Sequence, residues 1–159
     1  MKIGIIVYSQ TGNTLSVATK LKERLSAAGL SATLEEVKVA GGRNSGTRDF
    51  KLEAPPHVEP HDVLVFGAAV EAFSLSPVMR SYLERVSSLK DKKVACLVTQ
   101  GFPYAWLGGN HAVRQMRRLC ESKGATVSGS GVVNWMGSRR DERIAQVVDR
   151  LAKLLGSLA

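Results

Sequence analysis

Three segments of this chain, Met1 to Tyr8, Asp62 to Val70 and Lys93 to Thr99, are short and nearly continuous apolar runs rich in β-branched residues. Each is too brief for a long helix and lacks the alternation of a half-wet strand. Such runs fit strands buried on both faces, which is the condition of a parallel sheet covered by helices. Ser31 to Val39 reads as a weaker strand, and so does Ala125 to Val133, where Gly129 and Gly131 dilute the signal. Helical patterns separate them. Ala18, Leu21, Leu25 and Ala28 share one face, and Gly29 is placed to end that helix. Ser76-Pro77 opens a second helix, with Ser76 as N-cap and Met79, Tyr82, Leu83 and Val86 on its apolar face. A third runs from about His111 to Lys123, closed by Gly124. Ser138-Arg139-Arg140-Asp141 resembles a capping box for a last helix, whose apolar face is Ile144, Val147, Val148, Leu151 and Leu155. Residues 40–60 hold Gly41, Gly42, Gly46, Pro55, Pro56 and Pro60, which argues for an irregular crossover with at most a turn of helix near Phe50. Strands alternating with helices predict an open α/β sheet with helices on both faces.

The chain has 159 residues, the size of one domain, so residues 1–159 are expected to form a single unit. No stretch reaches the ~18–20 apolar residues of a membrane-spanning helix. The apolar N-terminal run is too short for a signal peptide, and a cytoplasmic protein is expected. Cys96 and Cys120 form no Cys-x-x-Cys pair, and with three histidines they make no zinc pattern. Both read as buried thiols in a reducing compartment. The net charge is +8, which favours anionic partners and says nothing about fold.

In an open parallel sheet, ligands bind beyond the carboxyl ends of the strands. The first such loop is Ser9-Gln10-Thr11-Gly12-Asn13-Thr14, lying between a buried strand and a helix. Gly12 permits a tight turn, and the helix N-terminus supplies unpaired N–H groups whose dipole favours an anion. Ser9, Thr11 and Thr14 add hydroxyls. The loop holds no Lys or Arg, so it is a phosphate cradle built from neutral dipoles. The nucleoside-triphosphatase motif is absent, and no Gly-x-Gly-x-x-Gly follows a strand, which argues against a dinucleotide site at this loop. Five of the nine aromatic residues, Phe73, Phe102, Tyr104, Trp106 and Trp135, fall just past the strand ends. Rings placed there rather than inside elements suit a planar ligand, although Trp135 equally suits a cover for the end of the sheet.

With these residues the chain resembles the flavodoxin-like family of FMN-binding proteins. The likeness is strongest at Ser9 to Thr14, which looks like that family's FMN phosphate loop, and the order of elements extends it over almost the whole chain. It implies a three-layer fold with a five-stranded parallel sheet in the order 2-1-3-4-5. It implies non-covalent FMN, with the phosphate at Ser9, Gln10, Thr11, Gly12, Asn13 and Thr14. It also implies that the ring lies between Val70-Glu71-Ala72-Phe73-Ser74 and Thr99-Gln100-Gly101-Phe102-Pro103-Tyr104-Ala105-Trp106. Phe73, Tyr104 or Trp106 would stack on the ring, and backbone groups near Glu71, Gln100 and Gly101 would bond its polar edge. Replacing Thr11 and Thr14 together by Val is expected to abolish tight FMN binding and leave the fold intact.

The role implied is electron transfer through FMN to a redox partner protein. A small FMN-dependent oxidoreductase that takes electrons from NAD(P)H and passes them to a quinone or other small acceptor is the alternative. A basic binding module on the same scaffold, without flavin, is the third. Flavodoxin carriers are typically acidic and dock basic partners, so a chain at +8 is expected to meet a different kind. No residue is assigned as catalytic and none as a metal ligand. His57 and His61 read as solvated loop histidines, His111 as an exposed helix-start residue, and Glu71 only secondarily as a proton donor. Arg114, Arg117, Arg118 and Arg139, Arg140, Arg143 read as solvated faces. The aromatic residues cluster with the phosphate loop and not with these arginines, which argues against nucleic acid. Either a monomer or a homodimer fits.

Overall fold

A computed structural model describes residues 1–43, 49–101 and 108–158. Five parallel strands form the central sheet: β1 (Ile3–Val7), β2 (Ala32–Glu36), β3 (Val63–Glu71), β4 (Lys93–Gln100) and β5 (Thr126–Asn134). Their order is β2-β1-β3-β4-β5, as the sequence led us to expect. A sixth strand was not anticipated. β3 runs on to Glu71, turns back, and pairs antiparallel with Ser74–Leu75.

Among the described residues, four helices cover the sheet: α1 (Asn13–Ala27), α2 (Pro77–Arg85), α3 (Gly109–Ser122) and α4 (Arg140–Ser157). Alternate side chains of the buried strands serve opposite faces. Ile5, Val7, Val65 and Leu97 pack with Leu21 and Leu25 of α1 and Ile144 and Leu151 of α4. Ile6, Leu64, Phe66 and Cys96 pack on the other face with Met79 and Leu83 of α2 and Met116 and Cys120 of α3. Both cysteines are free and buried, and the hydrogen bond with Cys96, together with burial, pushes the Cys120 thiol up.

The helix ends follow the sequence signals at one end better than at the other. Gly29 lies at φ 79°, and the bonds Leu30 N–H to Leu25 O and Gly29 N–H to Ser26 O close α1 in a Schellman motif. Gly124 closes α3 in the same way. The N-caps differ from expectation. Ser76 occupies the N-cap of α2, but its hydroxyl is buried and makes no capping bond. Ser138 does not cap α4; Arg139 takes that place at φ 59°, and the Arg143 guanidinium ties down the preceding loop by donating to the carbonyls of Asn134, Met136 and Ser138.

The described part of the crossover from β2 to β3 is irregular. It holds no helix near Phe50 and forms one antiparallel pair, Lys38–Val39 with Leu52–Glu53. His57 is exposed, but His61 is not the solvated residue its neighbours suggested. Only 7% of it is exposed, and it packs so closely on β1 that a Cβ at Gly4 would lie 2.5 Å from its ring.

Burial lowers the His61 pKa below its usual value, opposed in part by Glu35, and Nδ1 is buried without a hydrogen-bond partner among the described residues. The unfolded chain therefore takes up this proton more readily than the folded one, and stability is lost as pH falls below about 6.5. Thermal melts should show a lower Tm at pH 5.5 than at 7.5, and His61→Gln should flatten that difference.

Candidate functional site

All five main strands end at one edge of the sheet, and a cleft opens there between the loops that follow β1, β3 and β4. Tyr8, Gln10, Thr11, Asn13, Thr14, Ala69, Val70, Glu71, Thr99, Gln100 and Gly101 line it, around about 600 Å³ of atom-free space that opens to solvent. The loop after β1 turns tightly into α1. Gly12, at φ 92°, makes the turn, and among the described residues no atom beyond its chain neighbours stands within 4 Å of where its Cβ would be. The first turn of α1 has no side-chain cap at Gly12. Its later N–H groups are occupied: Leu15 donates to Ser9 Oγ at 3.1 Å and Ser16 to Gly12 O at 2.9 Å. The earlier N–H groups at Gly12, Asn13 and Thr14 lie at the positive end of the helix dipole. Gln10, Thr11 and Gly12 are exposed, and Ser9 and Asn13 are half-buried.

Thr14 has a different position from its neighbours. It is buried, and its Oγ1 shares a 2.7 Å hydrogen bond with Thr99 Oγ1 on β4. The close approach of α1 to the sheet depends on Gly67, where a Cβ would come within 2.7 Å of Val7 and 3.3 Å of Thr14. Thr14 therefore holds the cradle to the sheet, and its replacement by Val cannot leave the fold untouched.

The loop Val70–Ser74 is a β-hairpin tip. Ala72 and Phe73 have φ of 49° and 63°, the positive values that a tight two-residue hairpin turn demands and that Asn or Gly adopts more cheaply. Each such non-glycine residue costs about 1–2 kcal/mol. The turn presents Phe73 at the rim, 56% exposed. Gln115 of α3 supports the hairpin by accepting a bond from Leu75 N–H at 2.8 Å. On β4, the Gln100 side chain is buried and donates to Asn134 at 2.6 Å. Phe102, Tyr104 and Trp106 lie outside the described residues. Trp135 is not in the cleft: it packs partly buried on the core beside α1 and α4, with the Arg140 guanidinium 4.7 Å above its ring. His111 is exposed at the start of α3.

Three contributors were not singled out from sequence. Tyr8 and Ala69 are the residues by which the apolar runs reach the cleft, so their position past or at a strand end was the available signal. Arg43 had none. Gly41 and Gly42, at φ 72° and 74°, bend the crossover so that Arg43 enters behind the cleft wall. Gln10 binds its carbonyl at 3.0 Å. Its guanidinium donates to both Glu71 oxygens, at 2.7 and 3.0 Å, which raises the Arg43 pKa, and it lies 5.9 Å from the Tyr8 ring and 5.6 Å from the Phe50 ring. Glu71 is thus ion-paired and not placed as a proton donor.

No protein-family model matches the sequence, and no curated protein resembles it detectably. Solved structures do resemble the fold. A short-chain flavodoxin associated with a non-canonical PDU bacterial microcompartment superposes with a TM-score of 0.69 at 17% identity, over 100% of this chain and 99% of that one. The two-electron-reduced flavodoxin of Megasphaera elsdenii gives 0.66 at 23% identity, over 95% and 98%. A flavoprotein of Lactobacillus acidophilus in complex with FMN gives 0.63 at 16% identity, over 92% and 97%. The fold is therefore flavodoxin-like.

Two stability effects follow from this geometry. Thr14→Val leaves the Thr99 hydroxyl buried without its partner, and should cost about 1–3 kcal/mol in denaturant melts, whereas Thr14→Ser should recover most of it. Ala72→Asn relieves the turn and should raise stability by about 0.5–1 kcal/mol in the same assay.

Proposed function

We propose that the chain binds one FMN non-covalently in this cleft and transfers electrons through it. The observation that carries the reading is the convergence of a neutral, N–H-rich cradle with two loops of apolar and amide groups in one cleft at the carboxyl edge of the sheet. The residues present fit the group. Open space at Gly12 and the uncapped start of α1 suit a phosphate, which the exposed Thr11 and half-buried Ser9 hydroxyls supplement. Val70, Phe73 and Tyr8 supply apolar and aromatic surface for a planar ring, and the exposed Gly101 backbone at the end of β4 offers a polar group to its edge. Bound FMN supplies reversible uptake and release of electrons. The protein's own work is to orient the flavin, cover it on one side and leave an edge open to a partner. The FMN complex known for a similar fold supports the same cofactor here.

Titration of the purified protein with FMN, followed by quenching of flavin fluorescence, should give saturable one-to-one binding. Riboflavin, which lacks the phosphate, should bind at least a hundredfold more weakly. Thr11→Val should weaken FMN about tenfold or more, as expected for losing one hydrogen bond to a charged group, with little change in Tm because Thr11 is exposed. Equal affinity for FMN and riboflavin would remove the phosphate assignment. A carrier should oxidise NAD(P)H only slowly; rapid turnover of NAD(P)H with a quinone would make the protein a reductase instead.

A further inference from the structure

β5 is an edge strand. β4 pairs with one side of it, and among the described residues no strand pairs with the other. A row of unpaired backbone N–H and C=O groups on such an edge is a template for a further strand. Here three guanidinium groups reach the outer side. Arg117 of α3 donates to Val127 O at 3.5 Å, Arg150 of α4 to Ser130 O at 3.1 Å and Arg143 of α4 to Asn134 O at 3.0 Å. α3 and α4 pack on opposite faces of the sheet, so the edge is crossed from both sides.

Local sequence prepares these contacts. Gly129 and Gly131 leave room for α4: a Cβ at Gly129 would stand 2.5 Å from Leu154, and one at Gly131 2.6 Å from Val147. That close approach brings Arg150 within reach of the strand. On α3, Glu121 accepts from Arg117 Nε at 2.9 Å and leaves Nη2 to reach Val127. Arg117 and Arg150 are otherwise exposed, and ordering a long exposed side chain costs entropy.

We propose that Arg117 and Arg150 close the β5 edge against pairing with a second copy of this chain. An edge strand meets its own antiparallel copy across a two-fold axis with donors opposite acceptors, so the same strand is a complementary partner. β5 suits such pairing, because Ser128, Gly129, Ser130 and Gly131 carry no bulky side chain. The guanidinium groups occupy carbonyl oxygens that the copy's N–H groups would need, and pairing would bring two sets of cations together. Arg143 also ties down the loop before α4, so it stays in place in the test. The inference does not depend on bound flavin.

The test is the mass of the protein in solution, by sedimentation velocity over a concentration series. Arg117→Ala/Arg150→Ala should self-associate about tenfold or more tightly than the wild type, as expected for freeing two hydrogen-bond acceptors, with circular dichroism unchanged. Arg114→Ala/Arg118→Ala removes the same charge without freeing a described β5 carbonyl, and should behave as the wild type. Adding Ser130→Pro to the first variant removes the edge N–H beside the freed carbonyl and should restore the wild-type mass. Should the double variant lose its helical signal, Arg150→Ala alone carries the comparison, since its one described hydrogen bond is to Ser130. A folded double variant that stays at the wild-type mass overturns the inference. So does association that appears equally in the charge control or survives Ser130→Pro.

Discussion

Parallel pairing is the constraint on which the site depends. Each of the five strands must be entered from the same edge and left at the other, so the loops after β1, β3 and β4 have to meet. Burial on both faces then restricts what the strands are made of, and polar chemistry is displaced to their ends. Ile3–Val7 is fully buried, and the first half-exposed residue after that run is Ser9. The boundary between core and cleft is therefore only a residue or two wide at each strand.

Such a narrow boundary needs fastening, because loops alone would not hold a cradle in register with the sheet. The Thr14–Thr99 hydroxyl pair does this between α1 and β4, and Gly67 provides the space on the strand between them. Trp135 N–H to Gln100 O and Met136 N–H to Gly101 O extend the β4–β5 pairing beyond the strand ends in the same direction. Gln100 to Asn134 adds a side-chain link. The cleft floor is thus a continuation of the sheet's hydrogen bonding. The hairpin tip at Ala72 and Phe73 is different. It stores backbone strain, and its support comes from Gln115 of α3 and from the Arg43–Glu71 pair. Strain maintained by surrounding contacts is characteristic of surfaces kept for binding.

Local signals explain which parts of this were legible in the sequence. The buried β-branched runs announced the strands and their parallel pairing, and Gly29 and Gly124 announced helix ends because a left-handed residue is needed there. Ser9 to Thr14 was legible as a tight turn into a helix start because the two are adjacent in sequence. Features set by distant partners were not. Ser76 and Ser138 sit where capping residues belong, yet burial in one case and Arg143 in the other decide the actual bonding. The role of Thr14 as a fastener required Thr99, 85 positions away. His61 looked solvated from its proline-flanked surroundings, and only its packing on Gly4 revealed otherwise.

Arg43 is the extreme case, since nothing within the crossover distinguishes it from any other basic residue. Its position follows from Gly41 and Gly42, which turn twice through positive φ without steric cost, and from the carboxylate 28 positions on that receives it. In a chain with an excess of eight positive charges, most cations lie on the surface and act as a diffuse field. One that is buried against a cleft carboxylate acts locally, in a medium that screens it poorly. The irregular crossover, where a regular helix would have kept its side chains on an outer face, is what lets the backbone deliver that charge to the wall. The glycine pair aims Arg43 at Glu71, and Pro55, Pro56 and Pro60 disfavour a helix farther along the same crossover.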